Sequence, residues 1–414
     1  MDELGAAAKA TANNKMTANW ITSPQRVWLR CALFQVHLWV GVAFAAYAIV
    51  IGLTGSALVF RDEIEHAMWP DVFHIAPMQR TVTMQAAVDK IQSARPGWIV
   101  FALRDFNAAG QATTAMMRPA AGKLSANYRQ VYFNPFTGQV LLDRFRYGGW
   151  LGWMANLHEY LLAGPVGLVV SGWMAVGLLV LCVTGIVLWW PGIQRWTSAL
   201  ILNPRARWKR LNWELHSAVG FWVCAALIVV TFTGIDFAFP NAIGGIVEFA
   251  AGDSLSAPVT PKLPQHHPQP TPTTAMMTID QAIAEARGML PQAAPAGYLQ
   301  LPTTGGATAQ YKATGYYSGS LPYSELVRLT FDAHTGAVLS YGDTRQESRG
   351  SRMEQYFTTL HFGSFGGSGF TGVAIKWLWV LVGIAPALLA ISGLIMYWNR
   401  KLRPAWLRSQ RSRL

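Results

Sequence analysis

One nineteen-residue pattern occurs twice in this chain. HLWVGVAFAAYAIVIGLTG runs from His37 to Gly55, and HSAVGFWVCAALIVVTFTG from His216 to Gly234. In both, a glycine follows the histidine by four residues, and a Thr-Gly pair lies seventeen and eighteen residues on. At ~1.5 Å per residue, roughly 20 apolar residues cross the ~30 Å hydrocarbon core of a bilayer. Each copy is therefore long and apolar enough to span one. An ionisable group inside such a span is costly and points to function. The chain has to fold around two membrane helices of one plan, each with a histidine near one end.

Two further apolar stretches, Gly164–Trp190 and Gly369–Trp398, complete a set of four. Only 13% of the chain is charged, against about 25% in a soluble domain. The expected organisation is a disordered N-terminal segment over 1–25 and a first helix over 26–60. An aqueous unit over 61–157 follows, then a short helix leading into the second span over 158–190. After the loop 191–210, the plan repeats: a span over 211–239, a linker and aqueous unit over 240–360, a short helix and span over 361–399, and the tail 400–414. A secretory signal is not expected, because the first apolar stretch is too long for one.

The net charge is +12. Its basic residues flank the spans, which assigns them to orientation beside lipid rather than to nucleic acid. Loop 191–210 carries Arg195, Arg205, Arg207, Lys209 and Arg210 with no acid, and the tail is equally basic. The positive-inside rule then places loop, tail and both termini in the cytoplasm, and 61–157 and 240–360 outside. Trp189, Trp190, Tyr397 and Trp398 fit an aromatic belt at the inner interface. Cys31, Cys182 and Cys224 form no CxxC or CxxCH, so disulfides, zinc knuckles and covalent haem are not expected.

The two aqueous units follow one pattern. Each has a helical stretch (from Thr83, from Thr278), then alternating runs: WIVFAL, ATTAMM and YRQVYF in the first, YLQL, TAQYKA and ELVRLTF in the second. Thr137-Gly138 and Thr335-Gly336 occupy matching turns. Each unit reads as a helix on a small antiparallel sheet. A Pro-rich linker, 257–274, precedes the second. The fold class is thus membrane α-helical, four spans from a tandem duplication, with two α+β units.

Nine histidines are present. His37 and His216 lie near the inner ends of their spans, roughly 10 Å in by helix rise. His158 (LHEYLLAGP) and His361 (LHFGSFGG) precede the second and fourth spans, at the outer level. Two pairs at two depths suit bis-histidine ligation of two haem irons; packing histidines are the alternative. Gly41 and Gly220 sit one turn after the inner histidines, where they would make room for an inner haem. Gly55 and Gly234 lie five turns on, where they would make room for an outer one; helix packing would equally use them. His66, His74, His266, His267 and His334 read as surface residues. Asp236, at the outer end of the third span, reads as a proton carrier, a contact for a cationic acceptor, or an interfacial carboxylate. Lys376 reads as snorkelling to the interface. Arg345, Arg349 and Arg352 read as haem-propionate partners or as a solvated run.

The Leu-His starts, the Thr-Gly pairs, the WWPG exit of the second span and the paired α+β units resemble the PepSY-associated transmembrane helix family. The resemblance covers about residues 26–403. Ser392-Gly393 replaces Thr-Gly, and MYWN replaces the WW exit, in the fourth span. The family includes inner-membrane ferric-siderophore reductases of Gram-negative bacteria. It implies periplasmic PepSY domains and two haem b, with His37, His216, His158 and His361 as the matching ligands. The expected activity is transmembrane reduction of a periplasmic ferric-siderophore or other acceptor. Nothing here resembles a flavin domain, so the donor would be a membrane quinol or a separate cytoplasmic reductase. The other class is a membrane-anchored PepSY binding or regulatory protein without redox activity.

Overall fold

The computed structural model describes residues 21–22, 24–107, 110–122, 124–253, 275–302 and 308–411. The N-terminal segment to residue 20 and the whole Pro-rich linker 257–274, with His266 and His267, lie outside the described residues.

Among the described residues, four helices are long and apolar enough to cross a membrane. They are α1 (Trp28–Leu58), α6 (Gly164–Trp189), α7 (Trp208–Ala238) and α12 (Phe370–Tyr397). Between α1 and α6 come α2 (Arg61–Met68), α3 (Pro70–Phe73), α4 (Met84–Ser93), strands β1 (Trp98–Arg104), β2 (Thr113–Pro119), β3 (Arg129–Phe133), β4 (Val140–Phe145), and α5 (Gly149–Tyr160). Between α7 and α12 come α8 (Pro240–Ala250), α9 (Ile279–Met289), strands β5 (Ala296–Gln300), β6 (Gln310–Tyr316), β7 (Leu326–Asp332), β8 (Val338–Asp343), then α10 (Arg349–Glu354) and α11 (Phe357–Phe362). A final helix α13 (Arg403–Arg411) continues α12 through a π-turn at Trp398–Leu402.

The long helices form a ring in which α1 packs on α6 and α12, and α7 on the same two. Their outward faces are apolar and bare: Trp173, Trp222 and Phe370 are 64%, 64% and 90% exposed. Such a surface is stable only against lipid or another apolar partner. Inside, helices approach closely where side chains vanish. A Cβ on Gly177 would overlap the Phe44 ring, and one on Gly383 would overlap the Ser56 hydroxyl oxygen. Arg30 closes one end of α6 by donating to the carbonyls of Val187 (3.2 Å), Trp190 (3.0 Å) and Leu188. A cation suits a helix C-terminus, where four carbonyls lack partners.

Both aqueous units have the expected helix on an antiparallel sheet, with a fourth strand after the Thr-Gly turn in each. They are not separate bodies, however. One eight-stranded sheet runs β4-β3-β2-β1-β5-β6-β7-β8. The first strands of the two units pair antiparallel, with Ala102 opposite Gln300, Leu103 opposite Leu299, and Arg104 opposite Tyr298. The alternation that marks these strands leaves their first members as edges, and pairing them removes two edges at once. The core is shared: Leu103, Met117, Val131 and Phe133 of the first unit join Leu299, Tyr311, Leu329 and Phe331 of the second, all nearly inaccessible.

The unit helices cap each other. Asp280, in the first turn of α9, accepts from the backbone N–H groups of Met84 (2.9 Å) and Gln85 (2.9 Å) at the start of α4. Gln85 returns the bond, its Oε1 accepting from Ile279 N at 3.0 Å. These N–H groups have no partner within their own helix. Loss of a capping oxygen costs about 1–2 kcal/mol. Asp280→Ala should destabilise the sheet end by about that much, read as a lower midpoint in thermal unfolding followed by sheet circular dichroism.

Candidate functional site

The ring of helices brings the four sequence-matched histidines together in two pairs. His37 on α1 and His216 on α7 meet at the end of the bundle away from the sheet. Their ring centroids are 6.3 Å apart and their planes lie at 86°. His158 on α5 and His361 on α11 meet at the sheet end, 6.4 Å apart and at 62°. The other described histidines stand elsewhere: His66 packs on Phe73, His74 faces the Pro70 carbonyl, and His334 lies in the turn between β7 and β8, its backbone N–H donating to Asp332 at 2.9 Å.

Every one of the four imidazoles is held by a hydroxyl on a neighbouring helix. Nδ1 of His37 lies 2.9 Å from Thr184 Oγ1, and Nδ1 of His216 lies 2.9 Å from Ser392 Oγ. Nδ1 of His158 lies 3.0 Å from Thr54 Oγ1, and Nδ1 of His361 lies 3.0 Å from Thr233 Oγ1. The hydroxyls give their own protons to backbone carbonyls one turn back: Thr184 to Val180, Thr54 to Val50, Thr233 to Val229 and Ser392 to Leu389.

These bonds decide the tautomer. A hydroxyl has one proton to donate. With it committed to the helix, the oxygen accepts from the imidazole, so Nδ1 carries the ring proton. A second acceptor agrees. Each ring also bonds a backbone carbonyl three residues before its hydroxyl residue: Leu181, Leu389, Ile51 and Val230 for His37, His216, His158 and His361. Nε2 keeps its lone pair. Neutral imidazole with an anchored Nδ1–H is the form that ligates metals, and the anchor raises its basicity. At the sheet end, burial pushes His158 below the usual histidine range, and burial with the neighbouring His158 pushes His361 down to about 3. Both remain unprotonated at neutral pH.

The residue after each hydroxyl is a glycine. A Cβ on Gly55 would lie 2.8 Å from His158 Cε1, and one on Gly234 3.4 Å from His361 Cε1. Gly185 and Gly393 stand likewise, 3.3 and 3.4 Å from Cε1 of His37 and His216. Gly55 and Gly234 thus make room for the imidazoles themselves. Gly41 and Gly220 meet only a leucine methyl, at 3.7 and 3.6 Å, which is ordinary contact. The Thr-Gly pairs are visible in the sequence, but their task is not. The available signal was that each of the four spans carries a hydroxyl-Gly pair level with a histidine of another helix, although α6 and α12 each carry a second such pair, Ser171-Gly172 and Thr371-Gly372, that meets none.

Other polar candidates find partners away from the pairs. Lys376 bonds Glu63 at 2.5 Å. Arg345 is held by Glu325 at 2.5 Å and lies 3.6 Å over the Tyr317 ring, facing the sheet. Asp236 is buried, shares a hydrogen bond with Glu354, and leaves Oδ1 unpartnered. Among the described residues, no group of three or more His, Cys, Asp or Glu is placed to hold a metal ion.

The glycine contacts make a contrast that stability measures. Gly55→Ala forces His158 or its helix to shift and should cost about 1–3 kcal/mol, as overpacking does. Gly41→Ala should lie within about 0.5 kcal/mol of the parent, like a substitution that strains nothing. Equal midpoints for the two variants in thermal unfolding would contradict this geometry.

A family model for the PepSY-associated TM region matches residues 34–400, which include both histidine pairs, all four hydroxyls and both halves of the sheet. No curated protein matches the chain. With nearly its whole length matched by that model, the chain belongs to the PepSY-associated TM family.

Proposed function

We propose that this protein carries electrons across a bilayer through two haem b groups and reduces a ferric-siderophore at its sheet end. The observation that carries the reading is the pairing of four imidazoles, all of one tautomer, at two levels of one bundle. His37 and His216 would hold one haem, and His158 and His361 the other. A metal–imidazole bond is about 2.0–2.1 Å, so two such bonds with half a ring on either side span roughly 6–6.5 Å between centroids. The separations of 6.3 and 6.4 Å fit that span. Two nitrogens per site also suit a metal whose remaining ligands come with it, better than a bare ion that needs further donors. When bound, haem supplies reversible one-electron carriage.

The chain's own residues supply the rest. Thr54, Thr233, Thr184 and Ser392 orient the imidazoles and keep Nε2 unprotonated. The apolar helices surround both levels and leave the four imidazoles half-buried. Thr54 is seventeen residues beyond His37 on α1, so the two levels are about 25 Å apart in helix rise. The basic loop 191–210 and basic tail support an orientation with the sheet end in the periplasm of a bacterial inner membrane. A quinol or a separate reductase would then donate at the opposite, cytoplasmic end. A sheet that served only as a membrane-anchored binding or regulatory module would have no use for four anchored imidazoles.

A visible spectrum of the purified protein, expressed with haem supplied, tests the reading. Reducible Soret and α bands are expected. Substituting either His37 or His216 by alanine should remove one haem, and either His158 or His361 the other. A protein without these bands is not a haem protein of this kind. The hydroxyls offer a finer measure. A hydrogen bond contributes about 1 kcal/mol, and a tenfold change in a one-electron equilibrium is about 59 mV. Thr233→Val makes His361 a poorer electron donor, so the outer midpoint potential should rise by about 40 mV.

A further inference from the structure

We propose that the electron acceptor docks over Tyr323, and that Tyr323 and Phe362 form the exit from the outer histidine pair. This rests on the electron-transfer reading above. His361 and Phe362 have ring centroids 6.0 Å apart, and Phe362 and Tyr323 5.5 Å apart. Phe362 and Tyr323 are 44% and 49% exposed. The three rings therefore make a continuous path from a half-buried imidazole to solvent.

The backbone holds Tyr323 there against its preference. Its φ is +62°, the left-handed region that L residues adopt at a cost. The loop that carries it, between β6 and β7, is tied to the segment leading into His361. The buried Thr359 hydroxyl donates to the Pro322 carbonyl. Arg345 spans Tyr317 and Glu325 at the two ends of the loop, and Glu325 also accepts from Tyr356 at 3.4 Å. The other non-glycine residues with positive φ among the described ones are Asp105, Leu161 and Leu162. Leu161 and Leu162 follow the helix of His158, and Asp105 lies within electrostatic reach of Tyr323. Strained backbone held in place by its surroundings collects at ligand and reaction sites.

The surroundings of Tyr323 set the acceptor's chemistry. Arg61, Asp62, Arg104 and Asp105 of the first unit lie within electrostatic reach. Arg61 is paired with Glu65, and Arg104 with Asp105, each at 3.0 Å. Asp62 has no ion-pair partner among the described residues. It also lines a cavity of about 80 Å³ together with His66, Arg104 and Asp105. Thr114, fully buried, contributes a hydroxyl without a partner to the same cavity. An unpaired carboxylate beside a polar recess favours a neutral or cationic ferric chelate with a polar arm, and disfavours a polyanionic one. The step itself is one electron: iron(III) in the chelate becomes iron(II), the electron comes from the reduced outer site, and no bond to the protein forms.

Docking is tested with redox-inert gallium(III) chelates on the full-length protein in detergent, by isothermal titration calorimetry. The probes are the gallium complex of a cationic linear trihydroxamate and gallium citrate. Tyr323→Gly suits the left-handed backbone and deletes only the ring, and it should weaken the cationic probe about tenfold or more, as loss of an aromatic anchor does. Tyr323→Phe should bind like the parent. Asp62→Asn should narrow the preference for the cationic probe over citrate. The companion measurement is reoxidation of the reduced protein. Tyr323→Gly should slow reoxidation by the ferric trihydroxamate about tenfold, with hexacyanoferrate(III) within about twofold and the haem spectrum unchanged. Parent-like gallium binding by Tyr323→Gly, or tighter binding of citrate by the parent, would overturn the proposal. A parent lacking haem would sink the electron-transfer reading alone, since the gallium titration needs no haem.

Discussion

The bond from an imidazole Nδ1–H to a threonine or serine oxygen is the interaction on which the rest of this structure depends. Inside an apolar bundle there is no water to take an unpaired N–H, and leaving one bare costs several kcal/mol. The chain meets this four times with one device. A hydroxyl gives its proton to its own helix, its oxygen faces the histidine, and the adjoining glycine lets the ring come close. Each bond crosses between elements: α6 to α1, α12 to α7, α1 to α5, α7 to α11. Helix packing, tautomer and ring orientation are therefore one constraint, and a shift of any helix is felt at an imidazole.

The same duplication acts differently above the bundle. Two separate units would each expose the edge of their first strand. Joined through β1 and β5, with one core and reciprocal helix caps, they become a single rigid cover. Each half contributes one outer histidine, on α5 and on α11, just below this cover. The cover thus fixes the spacing of that pair from above, while Thr54 and Thr233 fix it from within the bundle. Backbone strain at Asp105, Leu161, Leu162 and Tyr323 is tolerated because both sets of contacts surround it.

The two halves differ where local chemistry differs. Helix α6 ends at WWPG because Pro191 has no N–H to continue it, and Arg30 takes its last carbonyls. Helix α12 carries Pro386 in its interior, but no proline stands at its end before Pro404, so MYWN runs on through a π-turn into α13. Ser392 stands in for threonine and keeps the bond to His216 at the same 2.9 Å as its counterpart. What matters at that position is the oxygen, and the lost methyl has no effect on the bond.

The four spans, the repeated helix-and-strand units and the four histidines were all legible from the chain, because each rests on periodicity and spacing along one segment. Apolar length marks a span, strict alternation marks a strand, and a histidine seventeen residues before Thr-Gly recurs in plain sight. The partners of those histidines were not legible. Thr54 serves His158, a hundred residues away, and not the histidine of its own helix. That assignment needs the order of helices around the ring, which no local pattern encodes. Nor does alternation in β1 and β5 say that the two strands pair with each other, since an exposed edge and a paired one read alike. Sequence by itself determined which elements form and which chemistry they carry, through forces that act between near neighbours. Only the tertiary structure decided which hydroxyl faces which imidazole and that two units share one sheet, because those choices belong to packing between distant segments.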